Sequence, residues 1–211
     1  MRRVDLSVYA ILDPAMCAAR GLTETAIAAV RGGAGAVQLR AKTATTAERI
    51  AVTRALKAAL AGSGAAVIVN DDAEAARAGD ADGLHIGQGD MPAAEARALI
   101  GPDRLLGLSV ETEAHAAALD PAIVDHAGAG PVFATATKPG HAAPVGFDGL
   151  ARIIAACPVP AVAIGGMAAG HAAEAVRAGA AGLAVVSAIC AAPDPEAAAR
   201  AIHQALREAR A

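Results

Sequence analysis

Short apolar runs ending in Gly, Asn, Asp or Ser alternate along the chain with stretches rich in Ala, Glu and Arg, which predicts repeated strand–helix units on a parallel sheet. The strand candidates are 6–12, 36–40, 66–70, 83–86, 105–109, 123–127, 161–164 and 182–186. Helical segments between them include 23–31, 46–61, 93–100, 168–178 and 195–209. Strands that are apolar nearly throughout need cover on both faces. Eight of them in succession with helical crossovers favour closure, so the expected fold is α/β, a single-domain (β/α)8 TIM barrel spanning 1–211. An open doubly wound sheet is the alternative, but the first strand-to-helix turn, 13–21, lacks the glycine-rich dinucleotide fingerprint. The longest irregular stretch is 128–147, a length unusual for a loop without a function.

Composition narrows the core and the partners. Hydrophobic residues make up 55% of the 211 residues and aromatic ones 1%, so Ala, Val, Leu and Ile must fill the space between helices and strands. The net charge of -3, with 18% charged residues, gives no global basic field and argues against nucleic-acid binding. An anionic ligand must therefore be held locally. Cys17, Cys157 and Cys190 show no metal-ligand spacing, and their odd number argues against a complete disulfide framework, so a reducing cytoplasm is expected. Asp5 and Ser7 interrupt the first apolar stretch, which speaks against a signal-peptide core. No run of about 18 strongly apolar residues suggests a membrane span.

In a barrel the site is built from residues where strands exit at their C-terminal ends. Alternation along 38–42 puts Gln38, Arg40 and Lys42 on one side and Leu39 on the other, so an amide, a planar guanidinium and a mobile ammonium converge, a set suited to a diphosphate. The plainer reading is a solvated strand end with ordinary ion pairs. The third strand ends in Asn70-Asp71-Asp72, and Asp90 follows the fourth, so neighbouring exits bring Asp71 and Asp90 together. Two carboxylates completed by substrate phosphates suit Mg²⁺. Asp72 reads as a helix N-cap, and His85, inside an apolar strand, as a structural histidine.

Ser109 follows Gly107 on the fifth strand and has no adjacent base in sequence, so it is expected to donate a hydrogen bond rather than attack. In the long stretch, Thr135 and Thr137 can face one ligand with Lys138 beside them; solvent exposure is the plainer reading. Gly165-Gly166 and Val186-Ser187 stand after the seventh and eighth strands, where barrels often hold phosphate on backbone N–H groups. The glycine pair can equally serve only to start the following helix.

Taken in order, Val37-Gln-Leu-Arg-Ala-Lys42, Asn70-Asp-Asp72, Ala81-Asp-Gly-Leu-His-Ile-Gly-Gln-Gly-Asp90, Gly107-Leu-Ser109, Gly130-Pro-Val-Phe-Ala-Thr-Ala-Thr-Lys138, Ala163-Ile-Gly-Gly166 and Val185-Val-Ser-Ala-Ile189 resemble the thiamine phosphate synthase family over nearly the whole chain. The resemblance implies a (β/α)8 transferase that joins 4-amino-2-methyl-5-hydroxymethylpyrimidine diphosphate to a thiazole phosphate. It implies that Gln38, Arg40, Lys42, Asn70 and Ser109 hold the pyrimidine diphosphate, with Lys138 near its phosphates. Asp71 and Asp90 would bind Mg²⁺; Thr135, Thr137, Gly166, Val186 and Ser187 would hold the thiazole phosphate. Transition-state support would come from Arg40, Lys42, Ser109 and Lys138, without a protein nucleophile. The expected partners are phosphorylated small molecules, neither nucleic acid nor membrane, and the resemblance suggests self-association. Two rivals stand beside it: a thiazole tautomerase sharing the barrel and the thiazole phosphate site, and a non-catalytic barrel that binds a phosphorylated ligand.

Overall fold

The computed structural model describes residues 4–135, 137 and 142–211. Eight parallel strands close into a barrel in sequence order: β1 (Val8–Leu12), β2 (Ala36–Leu39), β3 (Ala66–Asn70), β4 (Gly83–Ile86), β5 (Leu105–Val110), β6 (His126–Ala129), β7 (Ala161–Ile164) and β8 (Gly182–Val185). The β1–β8 pairing, through Val8↔Leu183 to Ala10↔Val185, completes the ring. Around it run α1 (Pro14–Cys17), α2 (Leu22–Arg31), α3 (Thr46–Ala59), α4 (Ala73–Ala78), α5 (Ala93–Ile100), α6 (Glu113–Ala117), α7 (Gly146–Ala156), α8 (Ala172–Arg177), α9 (Ser187–Cys190) and α10 (Pro195–Arg210). Among the described residues no helix is long and apolar enough to cross a membrane.

The strands are largely apolar and mostly buried, yet their two faces do different work. Tyr9, Ile11, Ala36, Ile68, Leu105, Val162 and Ala184 pack together inside the barrel. Their chain neighbours Leu12, Val37, Leu39 and Val67 pack outward against Ala26, Leu56 and Cys190 of the helices. That period of two is hidden in the sequence because both faces are buried. Small residues let the layers approach: Ala29, Ala75, Ala96, Ala175 and Ala199 are all buried on the inner faces of helices.

Carboxylates where strands enter the barrel are structural. Asp82 accepts the Val67 N–H at 2.9 Å and the Lys57 ammonium at 2.7 Å. Asp125 accepts the Leu106 N–H at 2.8 Å and Arg97 Nη2 at 2.6 Å. Each stitches the start of one strand to its predecessor and to a helix. The entry end of a barrel is where such stabilising features are expected.

Three expectations shift. The sixth strand is His126–Ala129 rather than 123–127. Ile123 and Val124 instead form a turn in which both N–H groups donate to Asp120 O, at 3.0 and 2.9 Å. The expected helix over 168–178 is a 3-10 turn, Ala169–His171, followed by α8. The irregular stretch over 128–147 is shorter at both ends, since β6 reaches Ala129 and α7 starts at Gly146. Its described ends are tied down: Val132 N–H donates to Ile164 O at 2.8 Å, and Val145 N–H to Pro131 O at 2.9 Å. Both phenylalanines serve that anchoring, with Phe133 edge-on to Phe147 at 5.4 Å and 4.9 Å from the His171 ring.

Candidate active site

A cavity of about 1160 Å³, counting space open to solvent, lies at the strand exits and reaches down into the barrel. Gln38, Arg40, Lys42, Asn70, Asp71, Asp90, Ser109, Thr135, Thr137, Gly166, Val186 and Ser187 all line it. Lys138 lies outside the described residues.

The strand-two residues graduate from floor to rim. Gln38 is 2% exposed, and its Nε2 donates to the Tyr9 hydroxyl at 3.0 Å. One pleat up, the Arg40 guanidinium lies 3.7 Å from the Asp13 carboxylate, which also caps α1. At the rim Lys42, with a side chain 52% exposed, donates to Asp71. This ladder follows from the pleat, which places alternate residues on one face.

Asp71 is held in an uncommon backbone state. Its φ is 64°, in the left-handed region, and its N–H donates to His85 O at 2.8 Å. Asp tolerates that region better than most residues, but it still carries strain of roughly 1–3 kcal/mol, the kind stored at functional sites. Asp72 caps α4 by accepting from Ala75 N at 2.8 Å and pairs with Arg49 at 2.9 Å, so it turns away from the cavity.

Asp90 accepts the Gly87 N–H at 2.7 Å. Burial first, and then the neighbouring Asp71 carboxylate, push its carboxyl above the usual range, against the pull of the Gly87 amide and Lys42. Two adjoining carboxylates whose negative charges oppose one another form a donor set that a hard divalent cation would relieve, so these residues fit Mg²⁺. Among the described residues no group of three His, Cys, Asp or Glu side chains forms a fuller cage, so other oxygens would have to complete the shell of any ion held there.

The structure corrects the reading of Ser109 and His85. Ser109 Oγ lies 3.0 Å from His85 Nε2, so the hydroxyl does have an imidazole beside it. The imidazole can therefore position that hydroxyl by a hydrogen bond. The Nδ1 side of that ring lies beside Gly107. His85 is thus a cavity wall, not merely core packing.

Also on the lining, Thr135 Oγ1 and Thr137 Oγ1 are 2.7 Å apart, and Gly165 and Gly166 have φ values of 97° and 66°. A side chain at Gly165 would meet Pro131 Cβ at 2.6 Å, so glycine is required where this turn crosses the β6 exit. Sequence reasoning missed Tyr9, Glu111 and His126, which also line the cavity. The available signal was phase: Tyr9 and His126 are polar-tipped rings on apolar strands, in register with inward positions.

A model of the family described as thiamine monophosphate synthase matches residues 8–189. The chain belongs to that family. It is 50% identical over 206 residues to a thiamine-phosphate synthase of Xanthobacter autotrophicus, covering 98% of each chain. It is 53% identical over 201 residues to one of Solidesulfovibrio magneticus, covering 94% of each. Among solved structures, thiamine phosphate pyrophosphorylase from Pyrococcus furiosus superposes with a TM-score of 0.88 at 32% identity, covering 98% of both chains. As a member of the thiamine monophosphate synthase family, the chain is a transferase.

Proposed function

We propose that the chain condenses 4-amino-2-methyl-5-hydroxymethylpyrimidine diphosphate with 4-methyl-5-(2-phosphoethyl)thiazole, or its carboxylated form, giving thiamine phosphate and diphosphate. The observation that carries this reading is the meeting at one rim of two cations, Arg40 and Lys42, with two carboxylates, Asp71 and Asp90, above a buried ring-lined floor. A tautomerase has no use for such a clamp, and a passive phosphate binder has no use for opposed charges.

Gln38, at the floor, would orient the pyrimidine; Asn70 and Ser109 would hold it at the exits of β3 and β5. Arg40, Lys42 and Lys138 would take the charge that grows on the diphosphate as its bond to the ring methylene breaks. Asp71 and Asp90 would hold Mg²⁺, which when bound neutralises the leaving diphosphate further. Departure leaves a pyrimidine-methyl cation stabilised by its own amino group. The thiazole nitrogen then attacks at a distance set by the second phosphate anchor: Thr135, Thr137 and the amides of Gly166, Val186 and Ser187. Low solvent access at the floor protects that cation from water, and burial keeps the Tyr9 phenol protonated. The reducing cytoplasm is the proposed setting, in keeping with three free thiols.

The test is to incubate purified protein with both substrates and Mg²⁺. Diphosphate is expected in step with thiamine phosphate. Isomerisation of the thiazole without diphosphate release would point to a tautomerase, and binding without turnover to a sensor; either would overturn the proposal.

A further inference from the structure

His126 opens β6 and is 1% exposed, yet it lines the cavity. Neither of its ring nitrogens has a hydrogen-bond partner among the described residues. The ladder His85↔Gly107↔His126 puts three neighbouring strands in one layer of the barrel. Gly107 is what lets them coexist: a Cβ there would stand 2.4 Å from His126 Nε2 and 2.5 Å from His85 Nδ1. The His126 ring also leans on Tyr9, with centroids 5.7 Å apart, and lies 5.8 Å from the His85 ring.

The three rings pave a floor shared with Gln38, which is engaged with Tyr9, and with the aliphatic Ile11, Val162 and Ala184. Aliphatic neighbours cannot satisfy an imidazole. Burial pushes His126 down to about 4, with Asp125 opposing, so near neutral pH the ring is uncharged and carries one N–H donor and one nitrogen acceptor. Native proteins rarely leave such a group unpaired at this depth, and those that do occur call for an explanation. A flat heteroaromatic ring with a donor and an acceptor on one edge would supply the missing partner.

We propose that His126 is a specificity-determining residue, which hydrogen-bonds the polar edge of the substrate ring at the barrel floor and so selects an aminopyrimidine over analogues lacking that edge. This rests on the pyrimidine diphosphate reading above. Gln38 and Tyr9 already satisfy one another in part, whereas both ring nitrogens of His126 have no hydrogen-bond partner among the described residues, so its pairing awaits the ligand.

The experiment measures dissociation constants by calorimetry for the pyrimidine diphosphate, and for its analogue with hydrogen in place of the amino group. The proteins are the native chain, His126→Phe, His126→Leu and His126→Asn, each with its thermal midpoint. In His126→Phe, affinity for the pyrimidine diphosphate is expected to fall about tenfold or more, the worth of a buried hydrogen bond. Discrimination against the analogue should shrink with it, while KM for the thiazole phosphate stays the same and the unliganded protein melts no lower than the native one. His126→Asn, which keeps a donor and an acceptor, is expected to recover part of the loss; His126→Leu repeats the comparison should Phe not be accommodated. Folded variants that keep native affinity and native discrimination would overturn the role of His126 alone. A native protein that does not bind the pyrimidine diphosphate would overturn both this inference and the reading beneath it.

Discussion

The Lys42 ammonium donates to the Asp71 carboxylate across the exits of β2 and β3, while the Asp71 backbone is pinned by its N–H to His85. One carboxylate therefore faces both the cationic strand and Asp90, the point at which cation, metal and leaving-group chemistry would have to meet. The exchange of partners it allows is testable.

Asp71→Asn removes the charge but keeps a side chain that tolerates the left-handed φ of 64°. The protein should fold, and the Mg²⁺ concentration needed for half-maximal activity should rise about 10–100-fold, the scale on which changes at metal sites act. A magnesium titration decides; an unchanged curve removes Asp71 from the metal site.

Gly166→Ala places a Cβ 2.9 Å from Phe133 Cβ at a φ of 66°. Left-handed backbone is expected to cost about 1–2 kcal/mol of stability with any Cβ. KM for the thiazole phosphate should rise while that for the pyrimidine diphosphate holds. A rise in both alike would mean that the glycine shapes the whole cavity rather than one phosphate anchor.

Gly107→Ala drives a methyl group between the His85 and His126 rings, at 2.5 and 2.4 Å from their nitrogens. Overpacking of this kind costs roughly 1–3 kcal/mol, and each kcal/mol shifts the midpoint of a chain this size by about 2–4 °C. Adding His126→Ala should return part of the loss, because the two changes share one space. Equal midpoints for Gly107→Ala and the native chain would contradict the packing described.

His126 also makes a pH prediction. Its folded pKa is lowered from 6.5 to about 4, so between those values the unfolded chain binds a proton that the folded chain does not. Stability from this group is present above the unfolded value and is lost as pH falls toward the folded one, by about 3 kcal/mol in all. Urea midpoints measured from pH 7 to 4 should therefore fall more steeply for the native chain than for His126→Phe. Parallel curves would show that the imidazole is not buried as described.

Which acids line the cavity was legible from position along the chain: Asp71 and Asp90 follow strands, whereas Asp82 and Asp125 precede them and stitch strand entries. The meeting of Ser109 with His85 was not legible. Twenty-four positions separate the two residues, and only the ladder His85↔Gly107 and the pleat bring their side chains to 3.0 Å. The sixth strand was misplaced for a related reason. Ile123 and Val124 are as apolar as any strand residue, but Asp120 captures their N–H groups, while the plain His126–Ala129 segment pairs on both sides.

The chain alone determined the eight-unit rhythm, the buried alanine faces and the polar residues at strand exits, because these follow from local periodicity and from where apolar runs stop. Only closure of the barrel decided which face looks inward in the nearly all-apolar strands, since strands buried on both sides carry little polar marking on either face. Closure therefore also decided that Tyr9, His85 and His126 share one floor.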